Sequence, residues 1–318
     1  MSLILYIKSN LFKHPKLPLT MENMKLTFLG TGNAIPTARR NHTGILISFA
    51  NENILVDPGE GTQRQFQIAK IALPRITKIL ITHWHGDHIL GLPGILQTLA
   101  MSNYQKTLKI YGPRGSLRFM KAIEDLMIKF KINLEVKELS NETLDFGTFK
   151  IEAKSMDHDS PCNAYSISIK DKIRLDKKKL KKMKIPNSPL LGQLQQGKDI
   201  VIDGKTIKAK SLIYKEEGKK ITIIMDTALN DNCISLASKS DLLICESTFA
   251  KEENEKAKEY KHLTSENAAQ IAKRSKSKKL ILTHISQRYE FNPTIIEKEA
   301  KKVFKNVKLA KDFDVFEI

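Results

Sequence analysis

Three histidines and an aspartate are crowded into residues 82–94, whose sequence is THWHGDHILGLPG. The chain has only eight histidines, yet three of them lie within six positions of one another together with an aspartate, as His83, His85, Asp87 and His88. Imidazole and carboxylate are good ligands for zinc and similar divalent ions, and alternate residues of an extended loop can point the same way. The cluster therefore predicts a metal site, with a helix cap carrying incidental histidines as the structural alternative.

Further candidate ligands follow predicted strands elsewhere in the chain. Side chains just past strand ends in an α/β protein gather along one edge, where ligand sites usually form. Seven ligands are too many for a single tetrahedral ion, so we expect two ions with a bridging hydroxide. The predicted ligands are His83, His85 and His158 for the first ion, Asp87, His88 and His284 for the second, and Asp226 between them. Alternatively, His158 could serve only as a hydrogen-bond partner, and Asp226 could start a turn.

The apolar pattern of the chain predicts an α/β sandwich rather than a barrel. Short β-branched or leucine-rich runs predict strands at 26–29, 45–49, 54–56, 79–82, 109–111, 149–153, 165–169, 221–225, 242–245 and 280–283. Helix-like stretches occur at 116–130, 265–275 and 294–304. Strands in two groups with few helices indicate two sheets packed together and covered outside. We predict a domain over residues 24–318, preceded by a disordered extension over residues 1–23.

The composition favours a polyanionic partner and a reducing compartment. Lys and Arg number 53 against 35 Asp and Glu, a formal charge of +18, which suits nucleic acid, although a lysine-rich solvated surface would give the same balance. The three cysteines contain no Cys-x-x-Cys, which argues against a disulfide framework or a thiolate zinc site. The N-terminus is neither a convincing signal peptide nor a membrane span, so we expect a cytoplasmic protein without a membrane partner.

One segment departs from the strand rhythm. Residues 170–184, KDKIRLDKKKLKKMK, are overwhelmingly basic, and IPNSPLLGQLQQG follows at 185–197. We predict an insertion over 170–205 that projects from the core, with a solvated lysine helix and a linker as the alternative.

The His-x-His-x-Asp-His signature, with its later histidine, aspartate and terminal histidine, resembles the metallo-β-lactamase superfamily and, more specifically, the ribonuclease Z family. The resemblance runs from about residue 24 to the C-terminus. The stretches that carry it are FLGTGNAIPTARRN (28–41), ILVDPGEGTQRQ (54–65), ILITHWHGDHILGLPG (79–94), YGPRG (111–115), IPNSPLLGQLQQG (185–197), CESTF (245–249), HLTSENAAQIAK (262–273) and LILTHISQRY (280–289).

This resemblance implies an αββα sandwich of two mixed β-sheets flanked by helices. It implies two zinc ions per subunit on the seven predicted ligands, with other divalent metals possible, and removal of the 3′ trailer from precursor tRNA to leave a 3′-hydroxyl. It also implies that the basic insertion is a flexible arm that grips tRNA, often across a homodimer. The candidate arm contacts are Lys177, Lys178, Lys179, Lys181, Lys182 and Lys184.

Within that mechanism, paired metal ions lower the pKa of a water molecule and neutralise the phosphate. We expect Asp87 to orient the nucleophile or take its proton. His262 would protonate the departing 3′ oxygen, held by Glu246, although a surface-loop histidine is the alternative. Asp57 could fix the tautomer of a ligand histidine, a role compatible with an Asp-Pro-Gly turn.

The loop PTARRN contributes Arg39, Arg40 and Asn41 as candidate contacts for backbone phosphates or the end of the acceptor stem. The ribonuclease Z family often has a lysine where Ala38 stands, which puts discrimination at the RNA 3′ end in doubt rather than cleavage.

Two other functions remain open from the sequence. One is a metallo-β-lactamase-fold hydrolase of a small phosphodiester or (thio)ester, for which the basic insertion gives no reason. The other is a catalytically silent RNA-binding protein with a structural metal, against which the complete ligand set argues.

Overall fold

Two mixed β-sheets pack face to face in the computed structural model, which describes residues 23–127, 132–202 and 204–318. Their facing side chains form a central core that includes Phe28, Phe49, Phe149 and Tyr165. Helices cover the outer faces, so the predicted αββα sandwich is confirmed. The extension predicted over residues 1–23 lies, except for Asn23, outside the described residues.

Eighteen strands are present in these ranges. They are β1 (Lys25–Gly30), β2 (Gly44–Phe49), β3 (Glu52–Val56), β4 (Lys78–Leu80), β5 (Thr107–Gly112), β6 (Asn133–Glu138), β7 (Thr143–Asp145), β8 (Phe149–Met156), β9 (Cys162–Ile169), β10 (Lys172–Leu175), β11 (Ile200–Ile202), β12 (Lys205–Ile207), β13 (Ile213–Glu216), β14 (Lys220–Ile224), β15 (Leu242–Glu246), β16 (Leu280–Thr283), β17 (Val307–Leu309) and β18 (Val315–Glu317). The first sheet has the order β18-β1-β2-β3-β4-β5-β6, and the second has the order β17-β16-β15-β14-β9-β8-β7.

Parallel pairing in each sheet brings strand ends together. Strands β3 to β6 are mutually parallel, as are β14 to β17. The carboxyl ends of neighbouring strands therefore meet at a shared edge, where ligand sites usually form. This arrangement brings the residues that follow β4, β14 and β16 to the same side of the sandwich.

The α-helices of the described ranges are α1 (Thr62–Ile68), α2 (Gly86–Ile89), α3 (Leu92–Met101), α4 (Ser116–Leu126), α5 (Lys177–Lys182), α6 (Leu190–Gln195), α7 (Ala209–Leu212), α8 (Asp231–Leu236), α9 (Asn254–Glu259), α10 (Ser265–Arg274) and α11 (Thr294–Val303). Helix α3 buries Leu92, Ile95, Leu96 and Leu99, the spacing of one helical face, against the first sheet. The predicted helix at 116–130 ends at Leu126, and its last positions lie outside the described residues. None of the described helices is both long and apolar enough to cross a membrane.

The basic insertion forms a small unit, here called the arm, between β9 and β14. Strands β10 and β13 pair to close its base, and β11 pairs with β12. Its own core contains Leu180, Leu194 and Leu212. The unit extends to Glu216, beyond the predicted end at residue 205, because β13 must return along β10 to close the base.

Candidate metal centre

His83, His85 and His158 direct ring nitrogens towards one point. Nε2 of His83 and Nε2 of His158 lie 3.1 Å and 3.3 Å from Nδ1 of His85. Ligand atoms around a tetrahedral ion with bonds of about 2.0–2.1 Å are roughly 3.3–3.4 Å apart, so these three nitrogens have the spacing of ligands to a shared ion. The first two histidines follow β4, and His158 follows β8.

A second group consists of Asp87, His88 and His284. The Nε2 atoms of His88 and His284 are 3.2 Å apart, and Oδ2 of Asp87 lies 3.3 Å from each of them. Asp87 and His88 come from α2, while His284 follows β16 with a φ of 56°. Left-handed backbone is uncommon for histidine and costs free energy, so the surrounding contacts must hold this residue in place.

Asp226 lies between the two groups. Its Oδ2 is 3.6 Å from Nε2 of His83 and 3.5 Å from Nε2 of His88, and its Oδ1 is 3.2 Å from Nε2 of His284. The residue is 3% exposed, yet Oδ1 accepts no hydrogen bond from the described residues. A buried carboxylate oxygen without a donor is costly, and a cation would satisfy it. The seven predicted ligands therefore come together as a set whose chemistry fits metal ions.

Asp57 is fully buried behind the second group. Its Oδ1 accepts the backbone N–H of Thr82 at 2.8 Å, and its Oδ2 accepts the Thr82 hydroxyl at 2.7 Å. The same Oδ2 lies 2.8 Å from Nδ1 of His88, which turns Nε2 of that ring towards the site. Asp57 has a φ of 53°, and a Cβ on the nearby Gly59 would lie 2.3 Å from the carbonyl oxygen of Asp87. The turn at residues 57–59 therefore packs directly against α2, the helix that carries Asp87 and His88.

His262 lies beside both groups, with its ring centroid 5.5 Å from that of His158 and 5.6 Å from that of His284. Its Nδ1 is 3.2 Å from Oε1 of Glu246. Glu246 is fully buried, and its Oε1 also accepts the backbone N–H of Thr227 at 2.9 Å. Helix α10 begins three residues after His262 with a capping box between Thr264 and Asn267.

Two threonines also support the histidines, and neither is among the site residues predicted from the sequence. The Thr248 hydroxyl donates to Oε2 of Glu246 at 2.6 Å and lies 2.9 Å from Nδ1 of His284. The Thr82 hydroxyl lies 3.1 Å from Nδ1 of His83. Thr248 belongs to the CESTF stretch, and that motif is the sequence signal that points to it. Thr82 is marked in the sequence only as the end of a strand.

The electrostatic field assigns different protonation states to these groups. Burial acts to raise the pKa of Asp87, but His88 and His284 outweigh it and hold that pKa below its usual value. Burial lowers the pKa of His83, and the neighbouring charge of His88 adds to this effect. For His262, burial acts to lower the pKa, but Glu246 and Asp226 raise it to about 9. The site thus favours an anionic Asp87, a neutral His83 and a protonated His262.

The three candidate RNA contacts of the PTARRN loop differ in position. The Arg39 side chain is 68% exposed, with its guanidinium 3.8 Å from Glu290 and 5.9 Å from the centre of the Phe291 ring. Arg40 is 6% exposed, and its Nη1 donates to Oγ1 of Thr31 and to the carbonyl oxygen of Ala310. The Asn41 amide donates to backbone carbonyl oxygens. The predicted phosphate contact by Arg40 does not fit its burial, because its charged group is directed into the protein.

The predicted arm lysines are all exposed, and most of them lie on or beside α5. Asp176 caps this helix by accepting the backbone N–H groups of Lys178 and Lys179. The arm leaves β9 at its carboxyl end and returns at the amino end of β14, whereas Asp226 follows the carboxyl end of β14. The arm and the metal centre therefore lie at opposite ends of the strands of the second sheet.

Comparison with known proteins shows similarity over most of the chain. The family model of the anti-Pycsar protein Apyc1 matches residues 24–292. Ribonuclease Z of Ligilactobacillus salivarius is 40% identical over 307 residues, covering 93% of this chain and 97% of the relative. The crystal structure of human tRNase Z, short form, is 28% identical and covers 92% and 98% of the two chains with a TM-score of 0.67. The metallo-β-lactamase fold protein YhfI of Bacillus subtilis, at 22% identity, 93% and 100% coverage and a TM-score of 0.69, shares the fold.

Proposed function

The chain belongs to the ribonuclease Z family and also matches the Apyc1 family model, and we propose that it removes the 3′ trailer of precursor tRNA with zinc. As a member of that family it is a tRNA 3′-processing endonuclease, a phosphodiester hydrolase. The zinc requirement, the site residues and the steps of trailer removal are our proposal.

The observation that carries this proposal is the convergence of seven candidate ligand side chains, one of which, Asp226, has an Oδ1 without a hydrogen-bond partner in the described residues. We assign two zinc ions per subunit, the first to His83, His85 and His158, and the second to Asp87, His88 and His284. Asp226 serves both groups. Histidine and carboxylate donors suit zinc, although other divalent metals accept the same ligands.

Bound divalent ions supply a water activated near neutral pH and neutralise the charge of the scissile phosphate. Asp87 keeps its carboxylate ionised at this edge of the site and orients the attacking water by accepting its hydrogen bond. The water gives up one proton to solvent on activation, and the remaining hydroxide adds to phosphorus as the bond to the 3′ oxygen of the tRNA breaks. The products are a 3′-hydroxyl on the tRNA and a 5′-phosphate on the trailer.

His262 donates the proton that the departing 3′ oxygen needs. Glu246 positions the imidazole by accepting from Nδ1, which leaves Nε2 to act on the substrate. Thr248 and the backbone of Thr227 fix the Glu246 carboxylate in turn. This chain of contacts explains why a loop histidine has a defined orientation beside both ligand groups.

Binding of the RNA divides between two surfaces. Arg39 presents an exposed guanidinium beside the second ligand group, where it can contact the acceptor end. The lysines of the arm form a separate cationic surface for the phosphate backbone. Because that surface and the metal centre lie at opposite ends of the strands, we propose that the protein is a homodimer in which one arm serves the partner's metal centre.

The first test is cleavage of a 3′-extended precursor tRNA at several salt concentrations, with metal content measured by mass spectrometry. We expect two zinc ions per chain and one cut at the trailer junction. We also expect loss of the cut with chelator or in Asp87→Ala, and weakening by salt as phosphate contacts predict. Hydrolysis of small phosphodiesters without any RNA cut would instead support the small-substrate alternative.

A further inference from the structure

An open cavity of about 700 Å³ adjoins the first ligand group. Its wall includes the ligand His85, the aromatic rings of Trp84 and Phe119, and the side chains of Arg114, Arg118 and Ser160. Because His85 belongs both to the cavity and to the ligand set, the cavity opens directly beside the reacting centre. None of the functions proposed above uses it.

The cavity wall combines aromatic and guanidinium groups in one stack. The rings of Trp84 and Phe119 are stacked with centroids 4.8 Å apart and an interplanar angle of 19°. The guanidinium carbon of Arg118 lies 4.8 Å from the Phe119 centroid. A hydrogen bond of 2.8 Å from Nε1 of Trp84 to Oγ of Ser116 fixes the indole. Aromatic rings beside cationic groups are the usual means of binding single-stranded nucleotides.

Several polar groups of the cavity are available to bind an anion. Arg114 and Arg118 are exposed and form no ion pair within the described residues. Glu138 is already engaged, since its Oε1 accepts the backbone N–H groups of Gly115 and Leu117. Asp159 is the other acid at the cavity. Oγ of Ser160 is buried and has no hydrogen-bond partner in the described part of the chain, so a ligand could supply one.

The position of the cavity gives the RNA a direction. The Arg39 loop lies beside the second ligand group, because Gly32 bridges to Ile285 next to His284 and Thr37 donates to Glu290. The cavity lies beside the first group. A strand that crosses the metal centre with its tRNA end at Arg39 therefore places the next nucleotide in the cavity.

We propose that this cavity binds the first nucleotide of the 3′ trailer, with its base at the Trp84 and Phe119 wall. The phosphate that follows this nucleotide lies beside Arg114 and Arg118. The inference rests on the proposed function and adds a trailer subsite to it. The enzyme then holds the scissile phosphate from both sides, and the trailer base contributes to cleavage rather than passing freely into solvent.

The experiment compares two precursor tRNAs that differ only at the first trailer nucleotide, which carries uracil or is abasic. We expect kcat/KM of the unmodified enzyme to fall about five- to hundredfold on the abasic substrate, the range for loss of one stacked base. In Phe119→Leu the difference between the substrates should shrink to about twofold or less. Lys121→Ala, on the solvent side of the same helix α4, is the matched control and should keep the full difference.

Photocrosslinking tests the direction independently of rates. With 4-thiouridine at the first trailer position we expect crosslinks to peptides that contain residues 114–119. Crosslinks from that position to residues 35–41 would overturn the proposed direction. Equal cleavage of uracil and abasic substrates would overturn the subsite while leaving the tRNA function intact, whereas no cleavage of any precursor by the unmodified enzyme would overturn the function itself. Thermal unfolding and zinc content establish that each variant is folded and loaded.

Discussion

At the scale of single residues, acidic and hydroxyl groups around the metal centre divide into two kinds. Asp87 and Asp226 direct oxygens at the ligand nitrogens, whereas Asp57 and Glu246 contact the far sides of His88 and His262. Hydroxyls of Thr82 and Thr248 do the same for two further ligand rings. Such outer contacts fix the tautomer and direction of an imidazole, so they determine metal affinity without touching the metal.

Asp57→Asn tests this division. The left-handed φ of residue 57 is tolerated by asparagine, so the turn should survive. An amide nitrogen facing Nδ1 of His88 would favour the tautomer whose proton sits on Nε2, which cannot bind metal. We expect metal affinity to fall by about 10- to 100-fold in a chelator competition assay. Unchanged affinity in a correctly folded variant would show that Asp57 serves the turn alone.

His262→Ala separates proton donation from metal binding. The zinc content should remain at the level of the unmodified enzyme, because no ligand has been removed, while kcat on precursor tRNA falls about 100- to 10,000-fold. A phosphodiester with a p-nitrophenolate leaving group needs no proton, so its hydrolysis should fall much less. Equal losses on both substrates would contradict the role of His262 as a proton donor.

The convergence of the seven candidate ligands could be predicted from the sequence because each stands just past an apolar strand or in the His83–His88 spacing. The supporting roles of Thr82 and Asp312 could not be predicted, because their contacts join residues that no periodicity relates, whereas Thr248 lies inside the CESTF motif. Asp312, for example, lies 281 positions from its partner Thr31. The burial of Arg40 could not be predicted for the same reason, since its hydrogen-bond acceptor, the carbonyl oxygen of Ala310, belongs to the distant C-terminal segment.

At the scale of elements, the C-terminal segment anchors the loop that carries Arg39. Oδ1 of Asp312 accepts from the Thr31 hydroxyl at 2.7 Å, and its Oδ2 accepts from the backbone N–H of Asn41 at 2.7 Å. Gln65 of α1 donates to the same Oδ2 at 3.2 Å. Both ends of the loop are thus tied to one carboxylate, which leaves Arg39 on a fixed support.

Asp312→Ala should loosen this support. Leaving the Asn41 N–H and its neighbours without an acceptor costs about 1–3 kcal/mol for each buried donor, so we expect a loss of about 3 kcal/mol in the free energy of unfolding. KM for precursor tRNA should rise, because Arg39 loses its position. Denaturant unfolding and steady-state kinetics measure the two effects. The control Glu317→Gln removes an exposed charge from β18 in the same segment and should change neither the free energy of unfolding nor KM. If both variants had the same stability and KM, the anchoring role of Asp312 would be contradicted.

The arm is the element whose extent the sequence predicted least well. Its basic first half stands out by composition, but β13 has no such mark, and only its pairing with β10 reveals that it belongs to the arm. The structure also indicates how to remove the arm cleanly. The Ile169 N–H donates to the Lys219 carbonyl oxygen at 2.8 Å, so these residues already face each other across an antiparallel pair.

Replacing residues 170–218 by Asn-Gly should therefore close β9 and β14 as a two-residue hairpin and preserve the sandwich. We expect the variant to bind two zinc ions and hydrolyse a small phosphodiester, while KM for precursor tRNA rises and depends less steeply on salt. Kinetics at several salt concentrations provide the measurement. An unchanged salt slope would mean that the arm lysines contact no phosphates.

At the scale of the whole molecule, the distance between arm and metal centre determines how one tRNA can use both. Strand β9 separates them, and its eight residues span roughly 26 Å at 3.3 Å per residue. The arm begins and ends at the opposite end of β9 from Asp226 and His158. In the homodimer proposed above, a tRNA engaged at one metal centre would contact the arm of the second subunit.

Mixing two variants that are impaired in different ways tests this arrangement. The first lacks the arm but has an intact metal centre, and the second carries Asp87→Ala but keeps its arm. Random exchange of subunits would make about half of the dimers mixed, and each mixed dimer would combine one intact centre with the partner's arm. Under subsaturating precursor tRNA, the mixture should recover about a quarter of the activity of the unmodified enzyme, since one of two centres works in half of the dimers. If the arm serves its own subunit, or the protein is a monomer, the mixture should show no more activity than the two variants measured separately.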